Sequence, residues 1–354
     1  MLKPRRRLIA VGVVLLLVAA GALAWVLTSR GDDEEPGRLA TALGLAPEAS
    51  ARIGWTDWSG VRDELDADLS ASSQAADVQA FLDEGFSADL TSTSALVASA
   101  QVLQEQYGFS PATVDWELFA QSTEGAVLIL GLPESLDLDQ LEDTIEEVGY
   151  QRPSDDDGVW LGGHDLLGQL GTVTQELAFI TLDRDRRVLV ASDQSKSVES
   201  WRDDQRGVDL DDSVAGVTNE MEGALSTAVY DGDYVCTALA MTEAADSDRV
   251  RAAELIDAAG AISPLHAYAI ATVPGGDVRV AMAFESEDQA RTNADTRAVL
   301  ASGPAPGQGG SFPDRFDLGE VTAEGKVVTM ELEPVPGNYV MSDMATGPVL
   351  FATC

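Results

Sequence analysis

The sequence predicts an α+β fold: an antiparallel sheet built from repeated β-hairpin–helix units with helices on one face, preceded by a single transmembrane helix. Three observations carry this expectation. Leu8–Leu27 (LIAVGVVLLLVAAGALAWVL) is an apolar run without a charge. Farther on, pairs of short apolar runs flank polar or glycine-containing turns. Between those pairs lie stretches with helical spacing and residues that favour helix starts and stops.

At about 1.5 Å per residue, Leu8–Leu27 matches a hydrocarbon core of roughly 30 Å. Lys3, Arg5, Arg6 and Arg7 precede it and Trp25 lies near its far end, which places the N-terminus inside and the bulk of the chain outside. The expected organisation is a cytoplasmic basic tail at 1–7, a transmembrane helix at 8–27, a linker at 28–50 and an extracytoplasmic domain at 51–354. A subdivision falls near 207–224. The alternative is a cleaved signal peptide, because Ala22-Leu23-Ala24 has the small-residue spacing of a cleavage site. The apolar run continues past it, which favours a retained signal anchor in the plasma membrane. No cysteine precedes Cys236, so a lipid anchor is not expected.

Along the domain, Arg38–Leu45 reads as a short helix and Arg52–Thr56 as a strand, with Asp57 capping a helix over Trp58–Leu65. Ala95–Tyr107 has helical spacing and closes at Gly108. Ala126–Leu132 (AVLILGL) is an unbroken apolar run suited to the middle of a sheet. Leu138, Leu141, Ile145 and Val148 share one helical face before Gly149. Hairpins are expected for Leu177–Asp183 with Val188–Ser192, Ser226–Tyr230 with Tyr234–Met241, Ala267–Val273 with Val278–Phe284, and Phe316–Thr322 with Val327–Leu332. Helices are expected around Val198 and Trp201, over Asp248–Ala259, and over Glu287–Ala301 behind a Ser286/Gln289 capping box.

The formal net charge is −38, from 60 acidic and 22 basic residues. Five of the basic residues, Lys3 to Arg30, precede the first acid, Asp32, so the exported part is more acidic still. Such a surface repels phosphate backbones, and nucleic acid is excluded as a partner. Cys236 and Cys354 are the only cysteines. An even count in an oxidising compartment predicts a disulfide that ties Cys354 back to a strand.

With two histidines in the chain, zinc sites and histidine general bases have little material. His164-Asp165 lacks an accompanying nucleophile motif, and Asp155-Asp156-Asp157-Gly158 lacks the alternating spacing of a calcium loop. No catalytic residue, metal ligand or cofactor is therefore assigned. Two clusters place tryptophan beside carboxylates: Trp55, Asp57 and Trp58, and Asp115, Trp116 and Glu117. They read either as packing anchors with a helix cap or as a recognition surface for a sugar or cationic peptide.

The stretches IGWTDWSGVRDEL (Ile53–Leu65) and YGFSPATVDWELFAQS (Tyr107–Ser122) resemble membrane-anchored extracytoplasmic proteins of actinobacteria. GAVLILGLP and LAFITLDRDRRVLVASD are similar to a bacterial exported domain family of unknown function with repeated hairpin–helix units. This resemblance implies an address and a fold, and it transfers no catalytic residue. The function expected is a non-enzymatic cell-envelope module that binds an envelope protein or polymer. An envelope hydrolase using a carboxylate pair and a carrier of apolar ligands are the alternatives.

Overall fold

The first strand of the domain stands in the interior of the sheet, not at its edge. β1 (Arg52–Thr56) pairs antiparallel with β2 (Trp116–Ser122) on one side and β7 (Ser226–Asp231) on the other. In the computed structural model, residues 37–155, 158–203 and 211–354 are described. The expected tail, the transmembrane run and the first part of the linker, 28–36, lie outside the described residues. Among the described residues no helix is long and apolar enough to cross a membrane.

From β2 the sheet continues through β3 (Gly125–Gly131), β6 (Val188–Ser192), β5 (Phe179–Asp183) and the two-residue β4 (Trp160–Leu161). From β7 it continues through β8 (Ala267–Thr272), β9 (Val278–Ala283), β11 (Val327–Pro334) and β10 (Phe316–Glu324). Neighbours are antiparallel throughout these eleven strands. The outer strand β10 carries Asp317, Glu320 and Glu324 and a bulge between Leu318 and Val321, features that discourage pairing with another chain.

Helices cover both faces, which corrects the expectation of one covered face. In β3, Val127, Leu128, Ile129 and Leu130 are all buried, and β8 is buried from end to end. Successive strand residues point to opposite faces, so such strands need cover on both. One face packs against α1 (Arg38–Leu43), α6 (Ser195–Asp203) and α7 (Asp212–Asn219). Ala267, Ala269, Ala271, Ala281 and Ala283 make that face low over β8 and β9. The other face carries two larger cores. Over β3, β5 and β6 lie α2 (Trp58–Glu64), α3 (Ala75–Ser87), α4 (Leu138–Val148) and α5 (Gly163–Leu170). Over β8, β9 and β11 lie α8 (Asp246–Ala259), α9 (Glu287–Ala301) and α10 (Val340–Thr346).

Leu39, Ala42, Leu43 and Ala46 are buried in the sheet-facing core. The folded unit therefore begins at Arg38, ahead of the expected boundary at 51, and runs to Cys354. The expected helix over Ala95–Tyr107 is broken into a 3-10 turn, one α-turn and a π-turn at Leu103–Tyr107, ending on left-handed Gly108.

The second expected hairpin does not form. Asp231 accepts from the Tyr234 N–H at 2.6 Å and starts a helical turn that runs on through Val235–Leu239. The partners of β7 are β1 and β8 instead. Cys236 is thus helical, not on a strand. It pairs with Cys354 as a disulfide whose Cα atoms are 5.5 Å apart.

Arg297 on α9 is fully buried and faces no carboxylate. Its guanidinium donates to the carbonyls of Phe351 (2.5 Å) and Ser263 (2.8 Å) and to Asn293 Oδ1 (3.2 Å), and lies 5.2 Å from the Phe284 ring centre. Burial pushes its pKa down to about 9, which leaves it charged at neutral pH. Arg297→Met keeps most of the volume but strands both carbonyls. Relief of charge desolvation offsets part of that loss, so a net cost of about 2–3 kcal/mol in urea unfolding is expected. An unchanged midpoint would mean that water or rearrangement satisfies them.

Candidate binding cleft

A cleft of about 890 Å³ lies between the Thr41–Ser50 segment and α6. Its floor is the cross-strand pair Ala120 and Val127 of β2 and β3. Because Ala120 is small, no side chain from the sheet fills the space between the two walls. Trp201 closes one side, and its indole N–H donates to the Leu45 carbonyl at 2.7 Å, joining the walls at their base. The β2–β3 turn forms a further wall. There Gly125 has φ +143°, and a Cβ would come within 2.9 Å of Gln194 Nε2, so glycine allows this turn to lie against α6.

The lining is mixed. Leu45, Ala46, Pro47, Val127 and Trp201 give apolar surface, while Ser50, Ser122, Ser197 and Ser200 give hydroxyls. Glu48, Glu124, Arg186 and Lys196 put both signs of charge on the rim. Arg186 pairs with Asp183 at 2.7 Å. An apolar floor, a tryptophan and a few convergent polar groups are the common ingredients of a ligand-binding cleft.

The two tryptophan–carboxylate clusters come together, but in the interior. Trp55, Trp58 and Glu117 are almost completely buried, at 1 %, 0 % and 1 % exposure, so they present no surface to a partner. Trp55 and Trp58 leave the sheet on opposite faces, Trp55 stacking on Trp116 at 5.4 Å and Trp58 entering the helical core. Trp116 in turn lies over its cross-strand partner Gly131, where a Cβ would come within 2.1 Å of the indole. Asp57 caps α2 by accepting from Gly60 N at 3.0 Å and pairs with Arg38 at 2.6 Å. Asp115 is half-buried, and burial raises its pKa against the pull of Arg38 and Arg62. The expected recognition surface is thus a packed junction beneath β1 and β2.

Glu117 is the centre of that junction. It accepts from Trp58 Nε1 (3.0 Å), Ser94 Oγ (2.7 Å) and Ala95 N (2.5 Å). Burial pushes its pKa up to about 7 even though these donors favour the charged form. Among the described residues, the other carboxylates held above their usual range are Asp89, Asp115 and Asp231, each chiefly through burial. None of the four lines the cleft.

His164 meets Gln175 Oε1 at 2.9 Å and the edge of Phe179. Asp155 is described, but Asp156 and Asp157 lie outside the described residues. The sequence does not mark the cleft, because its walls come from three distant stretches of common residue types. The cation pair Arg186 and Lys196, in a chain with three lysines, is the one local signal that could have pointed to it.

No family model matches the chain, and no curated protein matches it. Among solved structures, crystal form I of TP0453 is similar over 87 % of this chain and 97 % of that one, at 6 % identity and a TM-score of 0.41. A similarity so slight bears on neither fold nor activity.

Proposed function

We propose that the chain is a membrane-anchored extracytoplasmic module that binds a cell-envelope polymer in the cleft between Thr41–Ser50 and α6, without chemical turnover. The observation that carries this reading is the cleft itself, with its apolar floor, tryptophan wall, hydroxyls and rim charges of both signs. Leu8–Leu27 supplies the anchor in this reading, with the N-terminus cytoplasmic, and the wall at Gly44–Ser50 follows it closely in sequence. The resemblance to actinobacterial anchored proteins agrees with that address.

We also infer that the fold is a tandem repeat of one unit. The strand pairings support it. Setting aside β4 and α5, which are inserted between α4 and β5, the elements β2, β3, α4, β5 and β6 follow one another in the chain, and β6 returns to pair with β3. β8, β9, α9, β10 and β11 do the same, with β11 returning to β9. The leading pieces agree too: Arg38 to Asp57 and Asp212 to Asp231 each run helix, strand and capping aspartate with the same spacing.

Co-sedimentation tests the binding reading. The full chain in detergent is mixed with insoluble envelope polymer freed of protein and lipid. The wild type is expected to pellet with the polymer. Ser200→Trp, which fills the cleft, should weaken binding at least tenfold, and Asp257→Trp on α8 should behave as wild type. A wild type that stays in solution, or a Ser200→Trp chain that pellets equally well, overturns the proposal.

A further inference from the structure

On the face opposite the cleft, a smaller hollow of about 300 Å³ sits over the β1–β7 pairing. Gly54 and Ala228 are cross-strand partners in its floor and leave it open. The Ser92–Ala95 loop forms one wall and Ser342–Thr346 of α10 the other. Asp89, at φ 57°, accepts from Ser342 N at 3.2 Å and from the Ser342 hydroxyl, which ties the two walls together.

Arg52 points into this hollow, and its situation is unusual for this chain. Among the described arginines, the others pair with carboxylates or donate to main-chain carbonyls. Arg52 does neither. Its guanidinium carbon lies 6.0 Å from the centre of the Tyr230 ring. Arg52 also donates to the Tyr230 hydroxyl, which itself donates to the Ala345 carbonyl. A guanidinium has five N–H donors, so it keeps others for an anion from outside.

The surrounding hydroxyls narrow the class. Their protons are already committed: Thr93 to the Trp55 carbonyl (2.8 Å), Ser94 to Glu117 (2.7 Å) and Thr346 to the Ser342 carbonyl (3.2 Å). Thr93 also meets the Thr56 and Ser226 hydroxyls, and Ser94 also accepts from Leu96 N at 3.0 Å. What remains for the hollow is one lone pair of Ser94 and those of Thr346, so a ligand there needs N–H donors beside its negative charge. A single guanidinium matches one carboxylate through two parallel N–H bonds, and a doubly charged phosphate would call for more positive charge. Phe119 adds an apolar wall.

We propose that this hollow binds an α-nitrogen carboxylate: an amino acid, or the C-terminal residue of a peptide. Arg52 takes the carboxylate and the hydroxyl lone pairs of Ser94 and Thr346 take the nitrogen's protons. The proposal is independent of the polymer cleft, since it uses neither its residues nor its face of the sheet.

Calorimetric titration of the full chain in detergent tests it, with L-alanine, N-acetyl-L-alanine, L-alaninamide and inorganic phosphate as probes. One or both carboxylates are expected to bind. Binding of L-alanine alone marks a free amino acid as the source, and equal binding of N-acetyl-L-alanine marks a peptide terminus. L-Alaninamide should bind at least tenfold more weakly. Arg52→Gln should lose at least tenfold while keeping the wild-type urea midpoint, and Ser200→Trp should bind as wild type. Failure of both carboxylates to bind, equal binding of amide or phosphate, or unchanged binding by a folded Arg52→Gln chain overturns it.

Discussion

A chain carrying serine at both Cys236 and Cys354 is expected to be less stable than the wild type by about 4–5 kcal/mol in the chain-entropy account of cross-links. The disulfide closes a sequence separation of 118 residues, so breaking it releases a long stretch of the unfolded chain. In the folded protein it fixes the C-terminal turn Leu350–Ala352, whose three residues are buried in the same core as Tyr230, Val235 and Leu239. Urea unfolding checks the value. Wild type treated with dithiothreitol should fall to the midpoint of the double variant, and each single variant should match it. An unchanged midpoint would mean that the link confines the unfolded chain little. Arg297 holds the same segment through the Phe351 carbonyl, so its replacement and loss of the disulfide should combine less than additively.

The second large effect lies at Glu117 and depends on pH. Its folded pKa of about 7 stands above the ordinary 4.5, so the folded state holds this proton more tightly than the unfolded chain. The contribution is fully present below about pH 4.5, declines as pH rises, and is gone above about pH 7. It amounts to about 3 kcal/mol for this one group. Glu117→Gln cannot titrate, and its amide sets N–H groups against the Trp58 indole N–H. The variant is therefore expected to be less stable than wild type at acid pH, with the deficit shrinking by about 3 kcal/mol between roughly pH 4.5 and 8. Parallel urea titrations across that range measure it, because the remaining carboxylates are common to both proteins. A deficit that does not change with pH would show that Glu117 is ionised throughout.

The elements that could be read from sequence are those whose signal is local. The AVLILGL run is β3, and Leu138 to Gly149 is α4 with its Asp137 cap. The hairpin turns at Arg184–Arg187, Pro274–Asp277 and Glu324–Gly325 fall where expected between paired strands. Tyr234–Met241 failed because a short apolar stretch fits either a strand or a helical turn. The Asp231 cap and long-range pairing of β7 with β1 decided it. Glu117 was out of reach for a related reason. Its donors come from Trp58, Ser94 and Ala95, and no local pattern tells that three separate segments close over one carboxylate. Tryptophan next to acids looks like a recognition surface until the partners are known. The cleft shares this difficulty, since its floor and walls lie on β2, β3, α6 and the turn after α1.

The interior place of β1 bears on how the chain reaches its folded form. Arg52–Thr56 is made first, yet its neighbours are supplied by residues 117–121 and by residues 226–230. Each arm of the sheet can assemble largely from contacts within itself, but joining the arms waits on a strand far upstream. Loops of that size close slowly, so docking of the two arms onto β1 is the step that should govern the folding rate. Loss of Arg52–Thr56 would leave β2 and β7 as two facing unpaired edges, and aggregation through them would compete with any return to the native sheet.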